Sequence, residues 1–280
     1  MNMKSLIAGA LLTLGLIGLS AMAAPAPQVQ QFCCLTQGQK DVLNLLAVVQ
    51  IPDGQGGTVE ALRVKSNLQV VNTTGSTATT NGLGNLIIGY NEESGTNVRT
   101  GSHNIVFGTE NAFQSYGGLV GGSSNDIALP YSSVLGGFDN FSNNDWSVVV
   151  GGAGNQAAQE YSVVVGGQLN HGGGDYSVVV GGLNNQSLIS THGVVVGGKD
   201  NFASGLYSTA VGGLNNKSAG LRTVVVGGFD NRPVGNDAVI VGGESNDIDL
   251  TGTRAVLSGG LTRLATGTHD WVSGSLFEDN

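Results

Sequence analysis

The sequence predicts an all-β fold, a parallel β-roll or β-solenoid, and three observations carry that expectation. First, double glycines begin at Gly121, Gly136, Gly151, Gly166, Gly181, Gly197, Gly212, Gly227, Gly242 and Gly259, at spacings of 15, with one of 16 and one of 17. A short fixed period is the mark of a solenoid. Second, the residue two before each pair is always apolar, as in Val149, Val164 and Val179, and the residue just before it almost always is, as in Val150, Val165 and Val180. Third, Asn stands four after the first Gly in nine successive repeats, including Asn155, Asn170 and Asn185, until Arg263 replaces it. Fifteen residues cannot hold a helix pair, but extended they span about 50 Å, enough to circle a narrow roll once. Coils stacked about 4.8 Å apart make a rod on the order of 45 Å over nine intervals.

Composition agrees with many short strands joined by tight turns. The chain of 280 residues has 47 Gly, 5 Pro and 11% charged residues. There is no Gly-X-Y period, which excludes collagen, and an apolar content of 40% is unlike a disordered chain. A net charge of −9 argues against a nucleic-acid partner, which needs a basic stripe. It also argues against an electrostatic grip on anionic membranes.

Taken in order, residues 1–23 read as a secretory signal peptide. Lys4 supplies the basic start, LIAGALLTLGLIGL the apolar run, and Ala21-Met22-Ala23 a small-x-small cleavage site. Cleavage removes Lys4 and takes the charge to about −10. No direct membrane insertion is expected afterwards, so the protein is expected at the cell surface, secreted or in the periplasm. Residues 24–57 form a lead and a short helix or coiled coil. Within them, Lys40–Pro52 has helical apolar spacing at Val42, Leu45, Leu46 and Val49. The adjacent Cys33 and Cys34 bond each other only with strain. Interchain disulfides and free or locally paired thiols both stay open for them.

Residues 58–112 read as a strand-rich base with irregular coils, in which NLIIGYN and NIVFGTEN state the repeat theme loosely. Regular 15-residue repeats occupy 113–260. Residues 261–280 read as a C-terminal cap, with Trp271 and Phe277 plugging the end.

Neighbouring residues of a strand point to opposite faces. Apolar residues in both the Val164 and Val165 columns therefore predict burial on both faces, one inside the roll and one against another copy of the chain. Val163 looks least constrained, because its column also accepts Ser133 and Thr209. For the Asn column a left-handed corner is the expected role, with an inward hydrogen-bonded ladder as the alternative.

The phrase S-V-V-V-G-G-x-x-N, over about residues 83–260, resembles the head repeats of trimeric autotransporter adhesins of the YadA-like kind. The resemblance implies a left-handed β-roll, three rolls packed into a homotrimer through the second apolar column, and a surface protein that binds cell surfaces, matrix or glycans. The repeat departs from that family in its second Gly and its usual length of 15. The family's C-terminal membrane barrel has no counterpart before Asn280.

No catalytic, cofactor or metal site is expected. His103, His171, His192 and His269 are scattered, and His192 stands where Tyr stands in other repeats. Asp139, Asp200, Asp230 and Asp247 read as turn residues. No calcium or phosphate-loop phrase occurs. A glycan-processing solenoid enzyme of tailspike type is the alternative, and a purely structural fibre component another. Ligand contacts, if any, are expected in NEESGTNVRTGSH and around Asp270 and Trp271, where the pattern breaks.

Overall fold

The structure is a computed structural model that describes residues 36–93, 95, 97–188 and 191–273. The expected signal peptide, Cys33, Cys34 and Phe277 lie outside the described residues. The chain divides into two compact units after Leu68.

In the first unit, Thr36 caps a helix α1 (Gln37–Asn44), and Gln39 closes the capping box. The sequence expectation of a helix over Lys40–Pro52 is corrected here. The helix ends at Asn44, and Leu46–Pro52 is a strand β1, paired antiparallel with β2 (Thr58–Val64) from Leu46↔Val64 to Pro52↔Thr58. The spacing of Val42, Leu45, Leu46 and Val49 suits a helix, but Val48, Val49 and Ile51 are β-branched and Thr58–Val64 supplies a pairing partner. The turn Asp53–Gly57 closes the hairpin. The Asp53 carboxylate accepts from the N–H groups of Gln55 and Gly57, and Gly54 and Gly56 take positive φ. The expected boundary at 57/58 thus falls where this turn meets β2, inside the hairpin. Beyond Val64, the Thr-rich stretch to residue 80 has turns rather than strands.

The second unit is a β-solenoid of parallel stacked coils. One sheet of thirteen strands runs from Leu86–Ile88 to Trp271–Ser273, each strand hydrogen-bonded to its counterpart one coil away. From Val134 onward its register repeats the sequence columns: Val149↔Val164↔Val179↔Val195. At the first repeat the step is 14 residues, and Val120, not Leu119, pairs with Val134. A second sheet of eight strands stacks Ala112–Phe113 up to Lys217–Ser218. Three further strands continue in Arg232–Pro233, Asp247–Ile248 and Leu264–Ala265. The break falls at Pro233, which has no N–H to donate to the ladder. A third column of single bridges links Ser123, Phe138, Ala153, Gln168, Leu183, Lys199, Leu214, Phe229, Glu244 and Leu261.

Two sequence boundaries shift. Leu86–Ile88 pairs in register with Ile105–Phe107, so the irregular coils belong to the same sheet as the regular ones. At the other end Leu264–Ala265 and Trp271–Ser273 add a further coil where a cap was expected. Trp271 does not plug the rod: its side chain is 73% exposed.

The core is narrow because the coil is short. Val106, Val120, Val134, Val149, Val164, Val179, Val195, Ala210, Val225, Ile240 and Leu257 form one inner file, fully buried. Small residues face them from the second sheet, including Ser142, Ala157, Ser187, Ala203 and Ser218. Toward the two ends the same column takes larger residues, Phe113, Ile127 and Ile248, which are also buried.

Candidate functional site: the columns of the rod

Each sequence column becomes a line of like residues along the rod, because every coil repeats the path of the one beneath. The Asn column is an internal ladder, which corrects the expected corner role. Asn140, Asn155, Asn185, Asn201, Asn216 and Asn231 are fully buried, and none of them has positive φ. Asn170 shows the pattern. Its N–H donates to Asn155 Oδ1 at 2.9 Å, and its Nδ2 donates to the carbonyls of Gly166 at 3.1 Å and Gly182 at 3.2 Å. Its Oδ1 accepts from the N–H of Asn185 at 3.0 Å. The ladder starts at Asn91 and ends where Arg263 donates its N–H to Asn246 Oδ1.

The left-handed corner belongs to the residue before each Asn, and before Arg263 in the last repeat: Ser124, Asp139, Gly154, Leu169, Asn184, Asp200, Asn215, Asp230, Ser245 and Thr262 all have φ between 50° and 63°. Asp139, Asp200 and Asp230 are thereby turn residues as expected. Asp247 is not: it lies on a strand and accepts from Arg232 Nη2 at 2.8 Å.

The two glycines of each pair differ. Gly166 and Gly167 both have positive φ, yet a Cβ on Gly166 meets open space. On Gly167 it would collide with Asn170 Nδ2 and the Gly182 carbonyl. The same holds at Gly181 and Gly182. At Gly151 the nearest atoms to such a Cβ are 3.9 Å away, whereas at Gly152 it would collide with Asn155 Nδ2. Sequence reading singled out the first Gly of each pair; the second admits the Asn ladder.

The valine trio splits one inward and two outward. Val164 is fully buried, Val165 is 37% exposed and Val163 is half-buried on the same outer side as Val165. Leu135, Val150, Val180, Val196, Val226 and Val241 share the outward position at 36–46% exposure. The outer face of the large sheet is therefore an apolar stripe two columns wide. Sequence reading treated the Val163 column as loose, because Ser and Thr occur in it. Period-two alternation nevertheless puts it beside Val165.

A further column carries rings. Tyr131, Trp146, Tyr161, Tyr176, His192 and Tyr207 stack, with centroids 4.9–5.9 Å apart and planes within 29° of parallel, and Tyr116 meets Tyr131 edge-on. His192 thus takes a Tyr place in the stack. All six stacked residues have positive φ, so each ring also marks a coil corner. The Tyr spacing was legible, the stacking was not. Past Tyr207 the column becomes charged: Arg222 donates to Asp237 at 2.8 Å, and Arg254 Nη1 lies 3.4 Å from His269 Nε2. The hydrogen bond from Arg222 holds the Asp237 carboxyl below the usual carboxylate range.

Several of the polar groups that the sequence singled out also have structural partners. Within NEESGTNVRTGSH, Asn91 begins the ladder, Arg99 lies 3.6 Å from Glu93, and His103 Nδ1 lies 3.2 Å from the Thr77 carbonyl. Asp270 accepts from the Gly267 N–H at 2.6 Å and so closes a turn. Burial lowers the pKa of His171, on the second sheet between Gln156 and Gln186. Burial also raises that of Asp126, which accepts from Gln114. Among the described residues, no group of three or more His, Cys, Asp or Glu is placed to hold a metal ion. No described helix is long and apolar enough to cross a membrane.

No protein-family model matches the chain, and no curated protein matches its sequence.

Proposed function

We propose that this chain is an exported, homotrimeric adhesin or fibre head of the YadA-like kind. It would present a rigid β-roll that binds cell surfaces, matrix or glycans. The observation that carries the reading is the outward apolar stripe of Val148, Val150, Val163, Val165, Val178 and Val180, continued through the flanking coils. Over ten coils, nine intervals apart, the stripe is about 43 Å long. A contiguous apolar surface of that kind marks an interaction face. Its natural complement is the same stripe on another copy, because both share the coil period and every rung finds its equal at the same height. Symmetry about the rod axis repeats that contact and closes the assembly. The leader at residues 1–23 supports export, and the ladders supply the stiffness that a fibre head needs.

Light scattering on the purified exported protein tests the assembly, and binding to cells, matrix proteins and a glycan array tests the activity. A three-chain mass with saturable binding is expected. A single-chain mass overturns the trimer. Release of oligosaccharide from a bound glycan overturns the adhesin reading in favour of a glycan-processing solenoid. A trimer that binds nothing leaves a purely structural fibre component.

A further inference from the structure

The hairpin β1–β2 has an unusual distribution of apolar side chains. Partners directly across an antiparallel pair share a face, and successive residues alternate. One face carries Leu46, Val48, Leu62 and Val64, with Gln50 and Glu60 toward the turn. The other carries Ala47, Val49, Ile51, Val59 and Ala61, with Arg63. Both faces are apolar and both are open: Val48 and Leu62 are 69% and 65% exposed on one, Val59 and Ile51 49% and 40% on the other. None of residues 36–68 is buried. A two-stranded hairpin is marginal alone in water, and so is an eight-residue helix. The unit therefore needs a cover on two sides.

We infer that the hairpin is a second assembly point of the molecule, at which its two apolar faces bind the hairpins of two neighbouring copies and close a ring. A face that paired with itself in a two-fold dimer would leave the opposite face of each copy open. A heterologous contact, first face to second face, covers both faces and closes when the rotation does. Charge favours the same choice. Glu60 is the one charged residue of the first face and Arg63 of the second. Like faces would set charges of equal sign together, whereas unlike faces set Glu60 against Arg63 of the neighbour. The two positions are three residues apart along the strand, about 10 Å, a stagger that two long side chains bridge. The number three rests on the trimer proposed above; the pairing of unlike faces does not.

The test uses the full exported chain with Cys33→Ser and Cys34→Ser, to which Val48→Cys and Val59→Cys are added, one thiol on each face. A bismaleimide spanning about 10 Å, the separation of packed sheets, is applied to dilute protein, and covalent products are sized on a denaturing gel. A three-chain product is expected. A ceiling at two chains means like faces pair and overturns the inference. Single chains alone mean that the hairpin is covered by its own chain, which also overturns it. Glu60→Arg is expected to lower the three-chain yield several-fold, and Glu60→Arg with Arg63→Glu to restore it; a swap that fails to restore it overturns the assigned pairing. A three-chain mass without the cross-link sinks this inference and spares the solenoid reading. A three-chain cross-link in a protein whose mass ignores Val165→Asp does the reverse.

Discussion

The N–H of Asn170 donates to the Oδ1 of Asn155 at 2.9 Å, one coil below, and Asn170 in turn accepts from the N–H of Asn185. Every coil is thereby tied to its two neighbours by a buried side chain as well as by its strands. Asn170→Ala orphans the buried N–H of Asn185 and leaves two glycine carbonyls short of a donor. An unsatisfied buried group costs about 1–3 kcal/mol, so a loss of about 3 kcal/mol is expected. Urea unfolding measures it, and hydrogen exchange should show faster opening in the coils beside the substitution than at the far end of the rod. Asn170→Asp keeps the acceptor but aims a carboxylate at two carbonyls. It should be worse at pH 7 than at pH 4, where the protonated acid can donate.

The two glycines of a pair should differ in tolerance. Gly166→Ala meets only the left-handed backbone penalty, about 1 kcal/mol, because no atom stands in the way of its Cβ. Gly167→Ala must displace Asn170 Nδ2 or the Gly182 carbonyl and is expected to cost at least about 3 kcal/mol. Equal costs in thermal or urea unfolding would show that the second glycine does not make room for the ladder.

Neighbouring valines should fail in different ways. Val164→Asp buries an unpaired charge in the inner file, a penalty of several kcal/mol, and should unfold the coil by circular dichroism. Val165→Asp places its charge on the outer face and should leave the secondary structure intact while reducing the mass in light scattering. A folded, fully assembled protein from both variants would contradict the two-sided role of the trio.

Acid should weaken the rod through His171. Burial depresses the folded pKa of His171 below its ordinary value of 6.5. The unfolded chain therefore takes up a proton first as the pH falls. The stability that neutral His171 contributes is full above about pH 6.5 and is lost as the pH drops through the folded value. His171→Gln, which matches Gln156 and Gln186 in the same column, should flatten the fall in melting temperature between pH 7 and pH 5. An unchanged slope would show that His171 is not the group responsible.

The sequence by itself determined the coil, its period and, from Val134 onward, the register of its columns; at the first repeat the pairing shifts by one residue, so that Val120 and not Leu119 joins the inner file. Stacking at a fixed rise puts residues fifteen apart in the same surroundings, so the environment of one Val164 becomes the pattern of the whole column. It also marked the inner file, since Val149, Val164 and Val179 sit in a position that no polar residue takes. Other features needed the tertiary structure. Asn suits a left-handed corner and a buried ladder equally well. The choice was made by where the Gly166 and Gly182 carbonyls point, and the corner went instead to residues as different as Asp139 and Leu169. The spacing of Leu45, Leu46 and Val49 suits a helix, and only the distant run Thr58–Val64 turned Leu46–Pro52 into a strand. The outward turn of Val163 was likewise hidden, because a column that admits Ser and Thr carries a weak apolar signal, whereas the pleat puts it beside Val165 whatever its letters. Periodicity is a local property and is written in the chain; the direction of a side chain depends on partners that the chain meets only when it is folded.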